Sequence, residues 1–286
     1  MQQHASVNGV ELEYELTGSG EPVVLIHAGV CADFFAPLMD QPALAGHRLV
    51  RHHRAGYAGS GRVEGPLGIE RQAAHCRALM AELGIERAHV AGHSSGACIA
   101  LQLALDAPEA VQSLALLEPA KPGAPSPRQQ ELVETIFRPA LERYMAGDRA
   151  AAVEVFMRGV CGAGYRERLE AALPGAFEQA VADADTFFGQ ELPAVMAWSL
   201  GPEEAARVAG PTLVVRGGDS LEVYRERQDL LLEWLPNVEA FVLAGATHLL
   251  QIQQPRGMAE ALAGFFARHE TQGGPRPIWD PQPPSG

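Results

Sequence analysis

A chain of 286 residues, 47% of them hydrophobic, can bury one large core without disulfide staples. Its formal charge of −13 and the lack of any run of five basic residues weigh against nucleic acid or an anionic membrane surface as a partner, because phosphate binding needs clustered Lys and Arg. The four cysteines (Cys31, Cys76, Cys98, Cys161) are scattered without CxxC spacing, which argues against a disulfide framework or zinc ribbon. With no basic or apolar leader pattern at Met1-Gln2-Gln3-His4 and no apolar stretch of about 18 residues, the expectation is a soluble, cytoplasmic protein.

Val10, Leu12, Tyr14 and Leu16 alternate with polar residues just after Asn8-Gly9, predicting a strand entered through a two-residue hairpin turn. Val23-Val24-Leu25-Ile26 is continuously apolar, as in a strand buried on both faces, and a weaker strand follows at 48–53. Ile69, Ala73, Cys76, Met80 and Leu83 recur at helical spacing, and Gly84 punctuates the end. A strand is predicted at 88–92, a helix at 95–105 ending near Pro108, and a buried strand at 113–118. Beyond Glu118, Pro119, Pro122, Pro125 and Pro127 make a stiff polar linker. Helical periodicity then takes over, first in a stripe of Leu132, Val133, Ile136, Phe137, Ala140, Leu141 and Tyr144, then around 149–160, 165–173 and 175–188. Strands return at 212–216 and 238–243, each followed by a helix, near 223–235 and 255–269.

Strands alternating with helices spell an α/β fold with a mostly parallel, doubly wound sheet. The predicted division is a core of 1–120 and 209–270, a helical cap (lid) inserted at 121–208, and a Pro- and Gly-rich tail, 271–286, expected to be disordered. No internal repeat, Walker motif or dinucleotide fingerprint is present.

Chemistry concentrates at Gly92-His93-Ser94-Ser95-Gly96, a G-x-S-x-G pattern between an apolar strand and a small-residue helix. A sharp strand-to-helix reversal crowds the backbone, so small residues are needed two positions either side of a nucleophilic Ser94. The N–H of Ser95 then opens a helix, where developing negative charge is favoured. A serine hydroxyl needs a base and an orienting acid. His248 in Gly245-Ala246-Thr247-His248 follows the last predicted strand and supplies the base. Asp219, closing the strand 212–216, is the first choice of acid, with Glu118 and Glu222 as alternatives. His27 is expected to stabilise its loop, His93 to point away from the nucleophile, and Cys31 and Cys98 to pack. The His52-His53 pair lacks metal-ligand spacing, so neither metal nor cofactor is expected.

Four ordered motifs carry a resemblance: Leu25-Ile26-His27-Ala28-Gly29, Arg54-Ala55-Gly56-Tyr57-Ala58-Gly59-Ser60, the G-x-S-x-G turn and Gly245-Ala246-Thr247-His248. Together they resemble the α/β-hydrolase superfamily over roughly residues 5–270. The resemblance implies a second oxyanion donor at Gly29 or Val30, beside Ser95, and a cap between the sixth and seventh core strands. Ala28 replaces the usual glycine, and Asp219 lies two residues after Gly217 where the family has three. The implied activity is hydrolysis of a small-molecule carboxylic ester or lactone through an acyl-enzyme. Carbon–carbon bond hydrolysis, thioester hydrolysis, haloperoxidase-like chemistry and a non-hydrolytic receptor or cyclase are alternatives on the same fold. Oligomeric state cannot be read from the sequence.

Overall fold

A computed structural model describes residues 2–121, 123 and 125–270; the predicted tail, 271–286, lies outside the described residues. Eight strands form one sheet: β1 (Gln2–Val7), β2 (Val10–Thr17), β3 (Glu21–Ile26), β4 (His47–His52), β5 (Ala88–His93), β6 (Val111–Leu117), β7 (Thr212–Gly217) and β8 (Val238–Leu243). Their order is β1-β2-β4-β3-β5-β6-β7-β8. The pairs β1/β2 and β2/β4 are antiparallel, and the remaining five are parallel. Asn8 and Gly9 take the positive φ values, 48° and 80°, that a tight hairpin turn requires.

The order reverses direction at β3, which is flanked by β4 on one side and β5 on the other. Such a switch point leaves a crevice outside the carboxyl ends of two adjacent strands. The loop after β3 and the turn after β5 both open there, so the topology alone brings Gly29 and Ser94 together. Helices Ile69–Glu82 and Ser95–Asp106 bury an apolar layer against β3, β5 and β6, where Val24, Ile26, Val90, Leu114 and Leu116 meet Cys76, Met80, Ile99 and Leu103. On the other face, Leu25, Ala91, Leu117 and Val215 pack against Met258, Leu262 and Phe266 of helix Pro255–Ala267.

Between β6 and β7 the chain is helical, as the loss of strand periodicity predicted. The single stripe read over 132–144 is a bent run: Pro127–Leu132, a widened turn at Val133–Phe137, then Arg138–Met145. A second widened turn, Asp185–Glu191, follows the helix Ala176–Ala182. Such i→i+5 turns shift the facing of every later side chain, which a strict 3.6-residue period cannot show. Its apolar residues (Val153, Met157, Phe187, Phe188 among them) form a core shared with Ala28, Val30, Phe34 and Tyr57 of the sheet's loops. No helix among the described residues is long and apolar enough to cross a membrane.

The polar seam of this helical block is centred on Glu191, fully buried against Arg54. Arg54 Nη1 lies 3.0 Å from Glu191 Oε1, and the Tyr57 hydroxyl donates to Glu191 Oε2. Nearby, Thr186 Oγ1 donates to the Gly56 carbonyl at 2.8 Å, and Asp183 accepts from the Ala58 N–H at 3.0 Å. All four core partners (Arg54, Gly56, Tyr57 and Ala58) lie in the predicted Arg54–Ser60 motif. Breaking one member of a buried ion pair strands the other, typically at a cost of about 3–5 kcal/mol. Glu191→Ala should therefore lower unfolding stability by about that amount. Urea denaturation would check it, and a midpoint equal to the parent's would exclude a structural role for the pair.

Candidate active site

Ser94 sits at φ 56°, ψ −117°, a conformation that non-glycine residues rarely hold. Three backbone bonds fix it: its N–H donates to Leu117 O at 2.9 Å, and its carbonyl accepts from Ala97 and Ala120 at 3.1 Å each. The flanking glycines are required by contact rather than by conformation. A Cβ on Gly92 would stand 2.3 Å from Gly96 O, and one on Gly96 would stand 2.2 Å from Ile26 O and 2.5 Å from His27 O. The turn after β5 thus presses directly on the end of β3, which the small-residue pattern predicted for the turn itself but not for its neighbour.

His27 holds the loop after β3. Its Nε2 accepts from the Arg54 N–H at 3.0 Å, which leaves Nδ1 as the donor to the Ala28 carbonyl at 2.6 Å. Complete burial, reinforced by the Arg54 charge, holds this imidazole well below its ordinary pKa, so it stays neutral. Gly29 has no room for a side chain, since a Cβ there would meet Phe187 Cε2 at 2.4 Å. Val30 carries φ 72°, a strained value for a β-branched residue, and turns the chain away from the crevice.

His248 is buried, with its ring stacked on Tyr224 at a centroid distance of 4.4 Å and an interplanar angle of 15°. Its Nδ1 lies 2.6 Å from Glu118 Oε2. The other oxygen of Glu118 accepts the Gly217 N–H at 2.8 Å, and the side chain is shielded from solvent. The first choice of acid from sequence, Asp219, does not occupy this position. Beyond β7 the Gly218 and Asp219 amides bond to Leu243 O and Ala246 O, folding a turn that leaves Asp219 exposed, and Glu222 is exposed too. Glu118 reaches His248 because its φ of 42° swings the residue out of β6. Of the three carboxylates weighed from sequence, Glu118 alone contacts the imidazole.

His93 packs edge-on against Phe34 and 4.6 Å from the His248 ring, and burial keeps it well below its ordinary pKa. It is a wall beneath His248 rather than a second base. Cys31 and Cys98 are buried, and the cysteine that reaches the crevice is Cys161, whose thiol burial holds protonated.

These pieces enclose one cavity of about 40 Å³. Ser94, Ser95, Gly29 and His248 line it from the core, and Phe137, Phe156, Phe187 and Met196 from the helical block. Phe137, Phe156, Phe187 and Met196 all fall in the segment predicted as the cap, but sequence reasoning missed Tyr224 and Arg227 on helix Glu222–Trp234 altogether. Their i, i+3 spacing was the one available signal that they share a face. No cluster of three or more metal-ligating side chains occurs among the described residues.

A family model described as the alpha/beta hydrolase fold matches residues 21–255, and the chain belongs to that family. A relative from Azorhizobium caulinodans, assigned by name to the carbamate hydrolases, is 37% identical over 115 residues, 40% of this chain and 43% of that protein. The dihydrolipoyllysine-residue acetyltransferase component of the acetoin cleaving system of Cupriavidus necator is 36% identical over 123 residues, 41% of this chain and 32% of its own length. Both matches span less than half of the relative. A solved structure of an N-acyl homoserine lactone degrading enzyme superposes with a TM-score of 0.72 at 26% identity, covering 92% of this chain and all of that one.

The contact at His248 makes a discriminating expectation. Glu118→Gln keeps the shape and removes the charge, and should lower kcat/KM for ester hydrolysis by about 10⁴-fold. Asp219→Asn should leave it at the parent level. The reverse pattern would return the acid to Asp219.

Proposed function

We propose that this α/β hydrolase is a serine hydrolase of small carboxylic esters and lactones, acting through Ser94, His248 and Glu118. The observation that carries the reading is the buried 2.6 Å contact between Glu118 and His248 on the cavity that Ser94 enters from a strained turn. Strain at a nucleophile and a fully buried carboxylate on an imidazole are both costly, and both have a use in acyl transfer.

In this mechanism His248 Nε2 takes the Ser94 proton as Oγ attacks the substrate carbonyl. The tetrahedral oxyanion is held by the N–H groups of Ser95 and Gly29. His248 then gives the proton to the leaving oxygen, freeing the alcohol, or opening the ring in a lactone, and leaving Ser94 acylated. Water, deprotonated by His248, attacks the acyl-enzyme, and Ser94 recovers its proton as the acid departs. Glu118 accepts from Nδ1–H throughout, fixing the tautomer and stabilising the imidazolium. Gly217 N–H holds Glu118 in turn. His27 keeps the loop bearing Gly29 in place through the bond to Arg54 N.

Segment 121–208 acts as the lid, and its aromatic residues select compact, largely apolar substrates because they form the cavity roof. The lactone side of the reading draws on the solved lactone-degrading enzyme, whose fold and length this chain matches. A serine nucleophile should react with a fluorophosphonate probe at Ser94 and nowhere else. Ser94→Ala should abolish labelling and reduce kcat/KM on short p-nitrophenyl esters by at least about 10⁴-fold. Parent-like turnover by Ser94→Ala would refute the reading.

A further inference from the structure

Arg227 is the one lysine or arginine among the residues lining the cavity, and it is buried. It rises from helix Glu222–Trp234 one turn beyond Tyr224, whose ring backs His248. Its bonds go to neutral oxygens: Nη1 donates to the Pro119 carbonyl at 3.3 Å, and Nη2 donates to Gln129 Oε1. The Tyr224 hydroxyl is a further uncharged partner. A guanidinium carries five N–H donors, so these contacts leave part of the fork unspent. No carboxylate of a described residue lies within 4.0 Å of its nitrogens. Arg54, the comparable buried guanidinium, has Glu191 directly against it. Burial draws Arg227 below its ordinary pKa, as expected for a cation kept from water without a contacting counter-ion.

We propose that Arg227 is the carboxylate-binding residue of the substrate pocket, and that the natural substrate is an ester or lactone bearing one free carboxylate near the scissile carbonyl. The inference rests on the serine-hydrolase reading for the chemistry at Ser94, but not for the binding. An apolar cavity with a single guanidinium that no carboxylate of a described residue contacts suits a single negative charge, and a planar fork pairs with a carboxylate in two parallel bonds. A phosphate monoester would bring nearly two charges to one cation. Ser94 and Arg227 line the same small cavity of about 40 Å³, so the carboxylate would sit a few bonds from the carbonyl held at Ser94. Gln129, whose Nε2 is buried and unpartnered, accepts from Nη2 of the same guanidinium and so limits its rotation.

The test uses charged and neutral isosteres of two substrates. These are p-nitrophenyl hydrogen glutarate against its methyl ester, and 5-oxotetrahydrofuran-2-carboxylate against its methyl ester. The parent should favour the charged member of at least one pair by tenfold or more in kcat/KM. Arg227→Met should lower that charged-to-neutral ratio at least tenfold, and Arg227→Lys should lower it less. If Arg227 instead serves only to balance Glu118, both members of each pair fall together and the ratio stays put, which overturns the proposal. So does a parent with no preference for charge in either pair. Binding is read separately from turnover: the monoanion glutaramate should raise the melting temperature of the parent but not of Arg227→Met, and neutral glutaramide should raise neither. A glutaramate shift that depends on Arg227 in a protein that hydrolyses none of the four compounds would refute the hydrolase reading while leaving the anion subsite standing. A parent that glutaramate does not shift would refute the subsite.

Discussion

The site depends on a backbone contact that carries no side chain. Gly96, the second residue of the helix after β5, lies so close to the end of β3 that any Cβ there would collide with the Ile26 and His27 carbonyls. Gly92 closes the same turn from the other side, against Gly96 itself. Because the two strand ends are in backbone contact, the Ser94 hydroxyl and the amides of the loop after β3 open into one crevice. Were the helix displaced by a single methyl group, the turn would have to unbend, and Ser94 would lose the backbone bonds from Leu117 and Ala120 that hold its φ positive. Strain at the serine and close packing at the glycines are therefore one constraint.

From that contact the remaining groups follow outward through the sheet. Ser94 N–H is bonded to Leu117 O at the end of β6, and the next residue is Glu118. The turn bearing Ser94 and the carboxylate that contacts His248 are thus anchored to each other across one strand pair. Glu118 is in turn received by the Gly217 amide at the end of β7. The carboxylate that meets the imidazole thus comes from the residue just after β6, and β7 contributes a backbone donor to it.

This explains what was legible in the chain and what was not. Strand and helix periodicity located all the parallel strands to within two residues, because buried strands are continuous in apolar character. Gly92, Ser94 and Gly96 were legible because steric crowding leaves few residue types for that turn. Sequence put Asp219 ahead of Glu118 as the partner of His248 because both close strands at the same edge, whereas the carboxylate in contact with the imidazole is Glu118. What separates them is a positive φ at Glu118 and a turn that exposes Asp219, and neither leaves a mark in composition. The Arg54–Glu191 pair spans 137 positions, and Tyr224 and Arg227 sit on a helix whose amphipathic pattern is that of any core-packing helix. Long-range pairings of this kind have no local period.

The charges buried around the cavity divide into two sets with different logic. Arg54 and Glu191 neutralise each other at contact, with Gln72 and Tyr57 as further hydrogen-bond partners, and they tie the helical block to the loop that His27 stabilises. Glu118 and Arg227 lie close enough to feel each other's charge, but they are not in contact. The oxygens of Glu118 are taken by His248 and Gly217, while the nitrogens of Arg227 face neutral oxygens. An ion pair made only for stability would be expected to close that gap, since desolvating two charges without joining them forfeits most of their attraction. Keeping them apart leaves the carboxylate committed to the imidazole and the guanidinium open to the cavity. The first set fixes the walls, and the second leaves Glu118 on the imidazole and Arg227 at the cavity surface.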